Sequence, residues 1–161
     1  MQIREMVQSD WPDVWPIVEE VTLARETFPF DPSWTAELAR GVWMESPPGL
    51  TVVALDGGTV LGTAKMGPNK PGPGSHVATA SFMTASTARR RGVARALCTF
   101  AIEWATREGY SAMQFNAVVE SNVGAVALYG DLGFTIIGTV PQAYEHAQLG
   151  RVGLHIMHRF L

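Results

Sequence analysis

The sequence predicts a single α/β (α+β) domain with a mixed central sheet of about seven strands. First, a chain of 161 residues that is 47% hydrophobic can bury one substantial core without disulfides or metal ions. Second, the spacing of its apolar residues predicts a strand, two helices, three strands, a helix, a strand, a helix and two strands. We therefore expect residues 1–161 to form one domain.

The N-terminal part is expected to contain one strand and two helices. Met1–Met6 alternates enough to form a short strand. Ser9 or Asp10 then caps a helix with apolar residues at helical spacing. After the break FPFDPS, a second helical stretch runs over Ser33–Glu45 and ends at SPPG.

The middle of the chain predicts three strands. LTVVALDGGTVLGTAKM indicates a hairpin that turns at Asp56, Gly57 and Gly58, because an Asp-Gly pair between alternating apolar residues is a strong hairpin signal. The prolines and glycines of Gly67–Ser75 favour a loop. A fourth strand follows over His76–Thr84.

The remaining elements begin with a turn rich in arginine and a long helix that stops at Gly109. AMQFNAVV is the next strand, and the helical connection favours a parallel, right-handed crossover beside the fourth strand. SNVGAVALYGDLG predicts a short helix, capped by Ser121 or Asn122. FTIIGTV and RVGLHIMHRFL are the last two strands, with a polar excursion over Pro141–Gly150 between them.

Composition excludes several classes of protein. A net charge of -3 argues against a nucleic-acid-binding surface. No leader-like N-terminus and no apolar run of membrane-spanning length are present, so we expect a cytoplasmic location and no membrane contact. Cys98, the single cysteine, lies in an apolar helical pattern and is expected to be a buried, inert thiol.

Positive charge is concentrated at one turn. Four of the twelve lysines and arginines are Arg89, Arg90, Arg91 and Arg95, beside Gly92 at a predicted helix start. Free amides and the helix dipole make such a turn a natural seat for an anion, and glycine lets a phosphate approach. A merely solvated basic turn is the alternative. Neither a Walker-type loop nor a G-x-G-x-x-G loop occurs in the chain.

Two motifs resemble those of the GNAT superfamily of N-acetyltransferases. Arg89–Ala94 is similar to the family's Q/R-x-x-G-x-G/A loop, which also follows a strand. Downstream, ESNVGAVALYGDLGF is similar to the second signature, N-x-x-A-x-x-L-Y followed by L-G-F. The predicted order of elements also resembles that fold over essentially the whole chain, which implies a central sheet with helices on both faces.

The resemblance implies acetyl-CoA as the acyl donor and no metal. Its pyrophosphate would bind the backbone amides of Arg91–Arg95, and its pantetheine would lie along the fourth strand. The residues that the resemblance assigns to the cofactor are Met83, Thr84, Arg89, Arg90, Arg91, Gly92, Val93, Ala94, Arg95, Asn122, Ala125 and Tyr129.

The same resemblance implies roles in the reaction. Tyr129 would protonate the leaving thiolate, although an aromatic core residue is the alternative reading of this tyrosine. The oxyanion would be bound by the backbone N–H of Met83 or Thr84. Several relatives carry a glutamate as general base on the fifth strand, but Ala117 stands at that position here. The substitutes are Glu120, His76, Asn116 with a water, and the terminal-strand His155.

The expected acceptor is the primary amine of a small molecule or an amino-acid-like compound. In the family that the chain resembles, helices one and two and the last hairpin surround the acceptor site, so the acidic N-terminal third would suit a cationic amine. Phe28, Phe30, Trp34 and Trp43 would supply an apolar wall, with a place in the core as the alternative. The alternatives are an acetyltransferase for protein N-termini or lysines, and a non-catalytic sensor of acyl-CoA. Exposed apolar residues on the final strands would permit a homodimer.

Overall fold

The computed structural model describes residues 1–161 and contains one seven-stranded mixed sheet. The strands are β1 (Gln2–Glu5), β2 (Leu50–Asp56), β3 (Thr59–Pro68), β4 (Val77–Thr84), β5 (Ala112–Val119), β6 (Thr135–His146) and β7 (Gly150–Phe160). The helices are α1 (Trp11–Ala24), α2 (Ala36–Trp43), α3 (Val93–Arg107) and α4 (Val123–Asp131). Their order along the chain confirms the predicted fold class.

The sheet has the order β1-β2-β3-β4-β5-β7-β6, in which only β4 and β5 are parallel neighbours. The crossover from β4 to β5 runs through α3, as the sequence predicts. Helices cover both faces. On one face, α3 buries Leu97, Cys98 and Ala101 against the sheet, and on the other, α1 and α2 bury Val14 and Trp43.

A buried hydrogen-bond chain fixes α2 to the sheet. The Trp43 indole Nε1 donates to Thr63 Oγ1 at 3.0 Å, and that hydroxyl donates to the Val52 carbonyl at 2.9 Å. All three residues are buried. Because buried polar groups are costly when unpaired, this chain holds α2 in one position over β2 and β3.

The strands β4 and β5 separate soon after they meet. They pair only at Val77 with Ala112 and Ala78 with Met113, where both strands begin. Beyond Ala78 the facing edges of the two strands make no ladder hydrogen bonds with each other. The separation opens a gap in the middle of the sheet, and this gap positions the candidate site.

Two predicted boundaries differ from the structure. The second helix covers only Ala36–Trp43, because Thr35 caps it and its side chain accepts a hydrogen bond from Leu38 N. The polar excursion predicted over Pro141–Gly150 is wrong: most of it is strand, with a tight turn at Ala147–Leu149. The alternation is missing there because β6 is an edge strand that is exposed along almost its whole length.

Candidate active site

A cavity of about 650 Å³ occupies the gap between β4 and β5. The second half of each strand lines it from Thr79 to Thr84 and from Phe115 to Val119. The first turns of α4 line one end, together with Arg89 and Ala94, and the segment after α1 lines the other. That segment contributes Val21, Glu26, Thr27, Phe28, Pro29 and Phe30.

The turn before α3 has the backbone geometry of an anion seat. Gly92 is the N-cap of α3 with φ 76°, and no side chain caps the helix. Arg90 also has a positive φ of 61°. Arg91 N already donates to Ala88 O at 3.4 Å, so the predicted seat over Arg91–Arg95 narrows to the amides of Gly92–Arg95 at the uncapped helix start, which form a concave group of donors. A Cβ at Gly92 would meet nothing within 4 Å, so the space above this turn is open.

The four arginines of this turn do not act together. Arg89 lines the cavity. Arg91 pairs with Asp56 of the β2–β3 hairpin at 2.6 Å, and Arg95 pairs with Asp131 of α4 at 2.7 Å. These exposed pairs connect the start of α3 to two neighbouring elements. Arg89 is therefore the one arginine of the four that the structure brings to the cavity.

The remaining residues assigned to the cofactor lie on α4 and its N-cap, on β4 and at the start of α3. Asn122 caps α4, and its Oδ1 accepts from Ala125 N at 3.3 Å. Both residues line the cavity with Tyr129, Met83, Thr84 and Ala94. Val93 is instead buried in the core, so only its backbone is available at the helix start.

Tyr129 packs among aromatic rings at the end of the cavity that α4 lines. Its ring centroid lies 4.7 Å from that of Phe115 and 6.2 Å from those of Phe82 and Phe134. Burial raises the pKa of the Tyr129 hydroxyl above its ordinary value, with a smaller contribution from Cys98. The phenol therefore stays protonated at neutral pH and is able to donate a proton.

The register of β3 and β4 separates the two predicted oxyanion donors. Ala85 N donates to Leu61 O at 3.0 Å, and Thr63 pairs with Met83. Since N–H groups alternate sides along a strand, the Met83 N–H points to β3. Thr84 N–H and Phe82 N–H point to the gap. The prediction of Met83 as a donor is therefore wrong, and Phe82 was missed because sequence alone does not give this register.

Of the four base candidates, the structure brings only Asn116 to the cavity. Its side chain donates to Asn69 Oδ1 at 2.6 Å and accepts from Gln114 Nε2 at 2.8 Å. Glu120 instead accepts from Gly153 N at 2.5 Å, outside the cavity lining. His76 precedes β4 at the end remote from Thr84, with Nδ1 3.1 Å from Pro73 O.

His155 is also engaged elsewhere, because its Nδ1 lies 2.7 Å from Thr139 Oγ1. Glu26 was missed as a site residue. The one signal for it is its place two residues before the FPFDPS break, close to where the first helix stops. No helix of the structure is both long and apolar enough to span a bilayer.

Comparisons with known proteins agree with this architecture. The model of the acetyltransferase (GNAT) family matches residues 2–134. A GCN5-related N-acetyltransferase from Kribbella flavida is 55% identical, with a TM-score of 0.97 over 99% of this chain and 97% of that one. A GNAT superfamily phosphinothricin acetyltransferase from Sinorhizobium meliloti, solved in complex with AcCoA, is 25% identical with a TM-score of 0.85. That match covers 99% of this chain and 88% of the other.

A curated relative matches only part of this chain and less than half of its own length. The N-acetyltransferase aca1 of Schizosaccharomyces pombe is 31% identical over 97 residues, which are 60% of this chain and 46% of that protein. This chain therefore spans less than half of the yeast relative. The family model nevertheless covers most of this chain, from the first residue of β1 to the residue before β6. The chain belongs to the GNAT family of acetyltransferases.

Proposed function

We propose that this chain transfers the acetyl group of acetyl-CoA to the primary amine of a small molecule or an amino-acid-like compound. The observation that carries the proposal is the gap between β4 and β5, which has an anion seat at one end and an apolar chamber at the other. A donor at the α3 end and an acceptor at the α1 end would meet between the parted strands.

Direct attack in a ternary complex is the route that fits these residues. A covalent acyl-enzyme would need a reactive thiolate, but Cys98 is the only cysteine and is fully buried. Burial raises the pKa of Cys98 to about 12. The amine of the acceptor is therefore the nucleophile in our proposal.

Two observations support acetyl-CoA as the acyl donor. The relative from Sinorhizobium meliloti was solved with AcCoA, and we carry that ligand over to this chain. The residues present also fit it, because the free amides at the start of α3 and the Arg89 guanidinium suit a diphosphate. Apolar side chains between the strands suit the uncharged arm that follows.

Three groups of the chain would carry the reaction. The N–H groups of Thr84 and Phe82 face the gap and would stabilise the oxyanion of the tetrahedral intermediate. Tyr129, neutral at physiological pH, would protonate the departing thiolate. The amine must lose a proton before it attacks, and a water on Asn116 is our route for that proton, since Ala117 offers no carboxylate.

A small acceptor is favoured over a peptide by the closure of the acceptor end. Ala147 N donates to Arg25 O at 3.0 Å, and Tyr144 OH donates to Phe28 O at 3.2 Å. These bonds tie the segment after α1 to the β6–β7 hairpin, and we expect them to leave little room for an extended peptide at this end. A non-catalytic sensor is the second candidate, and Ala117 is the residue that favours it.

The test is release of free CoA from acetyl-CoA with panels of small amines, amino acids and peptides. Turnover with small amines and none with peptides would support the proposal. Calorimetric binding of acetyl-CoA without turnover across all panels would leave the sensor, and absence of both binding and turnover would refute each of these functions.

Two further parts of the proposal concern location and assembly. We place the protein in the cytoplasm and expect a homodimer through the exposed apolar residues of the edge strand β6, Ile136, Ile137 and Val140. Light scattering of the purified protein measures the mass directly. A monomer at all concentrations would refute the dimer.

A further inference from the structure

We propose that the acceptor is a primary amine with an apolar body and no carboxylate, and that Glu26 binds its ammonium group. This inference rests on the proposed function, and it narrows the class of acceptor within the same cavity. It follows from the charges that line the cavity, from the way Glu26 is held, and from the rings beside it.

The cavity has one charged residue of each sign. Arg89 stands before α3, at the end with the anion seat, and Glu26 follows α1 at the opposite end. Its neighbour Arg25 is exposed and does not line the cavity. Lys65 lines an adjoining groove, where Glu45 Oε1 and the Val42 carbonyl hold its ammonium at 2.9 and 2.8 Å. No cation lines the acceptor end, so Glu26 is the one charged residue that an acceptor carboxylate there would meet.

Glu26 is fixed at this position by its neighbours in the chain. Arg25 ends α1 in the left-handed region with φ 52°, which turns the chain away from the helix axis. The Arg25 and Phe28 carbonyls then accept the two hydrogen bonds from the β6–β7 hairpin described above. The backbone that carries the Glu26 side chain is therefore fixed by hydrogen bonds both before and after this residue.

The Glu26 carboxylate has no ionic partner in the protein. The four ion pairs of the chain involve Asp10, Glu45, Asp56 and Asp131. Glu26 is half-buried. A half-buried carboxylate loses part of its hydration, and a bound ammonium would compensate for that loss with a charge-assisted hydrogen bond.

The surroundings of Glu26 suit an apolar body. Phe28 and Phe30 line the cavity beside it, with ring centroids 5.2 Å apart. Phe30 also packs on Trp34 at 5.0 Å. Contrary to expectation, Trp34 and the fully buried Trp43 lie behind these rings and do not line the cavity. Val21 and Met83 extend the apolar lining. An aromatic or branched alkyl group would lose water against these side chains while its ammonium reaches Glu26.

The experiment compares two amines that differ by one carboxylate, phenethylamine and phenylalanine, at saturating acetyl-CoA. Phenylalaninamide, which lacks the negative charge, is the third substrate. We expect kcat/KM for phenethylamine to exceed that for phenylalanine by about 100-fold, because Glu26 repels the extra carboxylate and no cation at this end offsets its lost hydration. Phenylalaninamide should recover most of the loss. Equal or better turnover of phenylalanine would overturn the inference.

Two variants test Glu26 itself. Glu26→Gln keeps the shape and should raise KM for phenethylamine about tenfold or more, since a hydrogen bond to a charged group is lost. The matched control Glu19→Gln removes the same charge from an exposed position of α1 outside the cavity. Equal KM values for the two variants would overturn the inference.

Binding separates this inference from the proposed function. Calorimetry of phenethylamine with the CoA-loaded protein needs no turnover. Binding that Glu26→Gln weakens and Glu19→Gln preserves supports the inference even if no acetylation occurs, in which case the proposed function alone fails. Acetylation of phenethylamine that is equal in both variants refutes the inference and leaves the proposed function intact.

Discussion

Removal of the Tyr129 hydroxyl should stop most turnover while the protein and its donor site stay intact. In Tyr129→Phe, the ring keeps its contacts with Phe115 at 4.7 Å and with Phe82 at 6.2 Å. Burial, with a smaller contribution from Cys98, raises the pKa of Tyr129. No hydrogen bond to another group contributes to this shift. Loss of the hydroxyl therefore leaves no orphaned partner, and we expect a change in unfolding free energy of about 0.5 kcal/mol or less.

The effect on catalysis should be far larger. A positioned general acid contributes about 10²- to 10⁴-fold, so kcat should fall by at least about 100-fold. The dissociation constant of acetyl-CoA should change less than about threefold, because the reacting proton is not part of the diphosphate seat. Steady-state CoA release and calorimetry measure the two quantities.

The matched control is Tyr110→Phe, which removes a phenol that packs on Trp104 at 5.5 Å and does not line the cavity. This variant should retain the wild-type kcat. If Tyr129→Phe keeps kcat within about twofold of wild type, or if the control falls equally, the assignment of Tyr129 as the acid is refuted.

Three further predictions concern the donor seat and the buried thiol. Gly92→Glu places a carboxylate at the helix start and should remove the rise in melting temperature that acetyl-CoA gives wild type; an undiminished rise would contradict the anion seat. Arg89→Gln should raise the acetyl-CoA dissociation constant about tenfold, whereas Arg91→Gln, whose guanidinium is held by Asp56, should change it less than about threefold in calorimetry. Because the Cys98 pKa is raised from 9.0 to about 12, its stabilising effect is complete below pH 9 and decreases as the pH rises towards 12. Relative to Cys98→Ala, wild type should lose about 1.4 kcal/mol of unfolding free energy per pH unit in that range, and parallel pH profiles in urea titrations would contradict this.

The order of elements could be predicted because local signals determined each of them. The Asp56–Gly58 turn gave the hairpin its position, and the strand-turn-helix around Gly92 required a parallel return. Prediction failed where local alternation is absent. The outer strand β6 has almost no buried side chain, so the residues from Pro141 onward carry no two-residue pattern, and they resemble a loop.

The site was only partly predictable for a different reason. Motifs identify Asn122 and Tyr129, which lie on one helix at a fixed spacing. The acceptor end depends on contacts between segments that are distant in the sequence. No local pattern indicates that the β6–β7 hairpin bonds the Arg25 and Phe28 carbonyls, which flank Glu26 at the cavity. A bulge between Phe115 and Val118 also shifts the register of β5 against β7, so alternation does not carry through to Glu120.

The parting of β4 and β5 is a property of the main chain, and this has a consequence for how the protein can change. Substitutions at the α1 end could exchange one amine for another without rebuilding the donor seat at the far side. Acceptor choice and donor chemistry can therefore evolve, or be engineered, as separate traits on one scaffold.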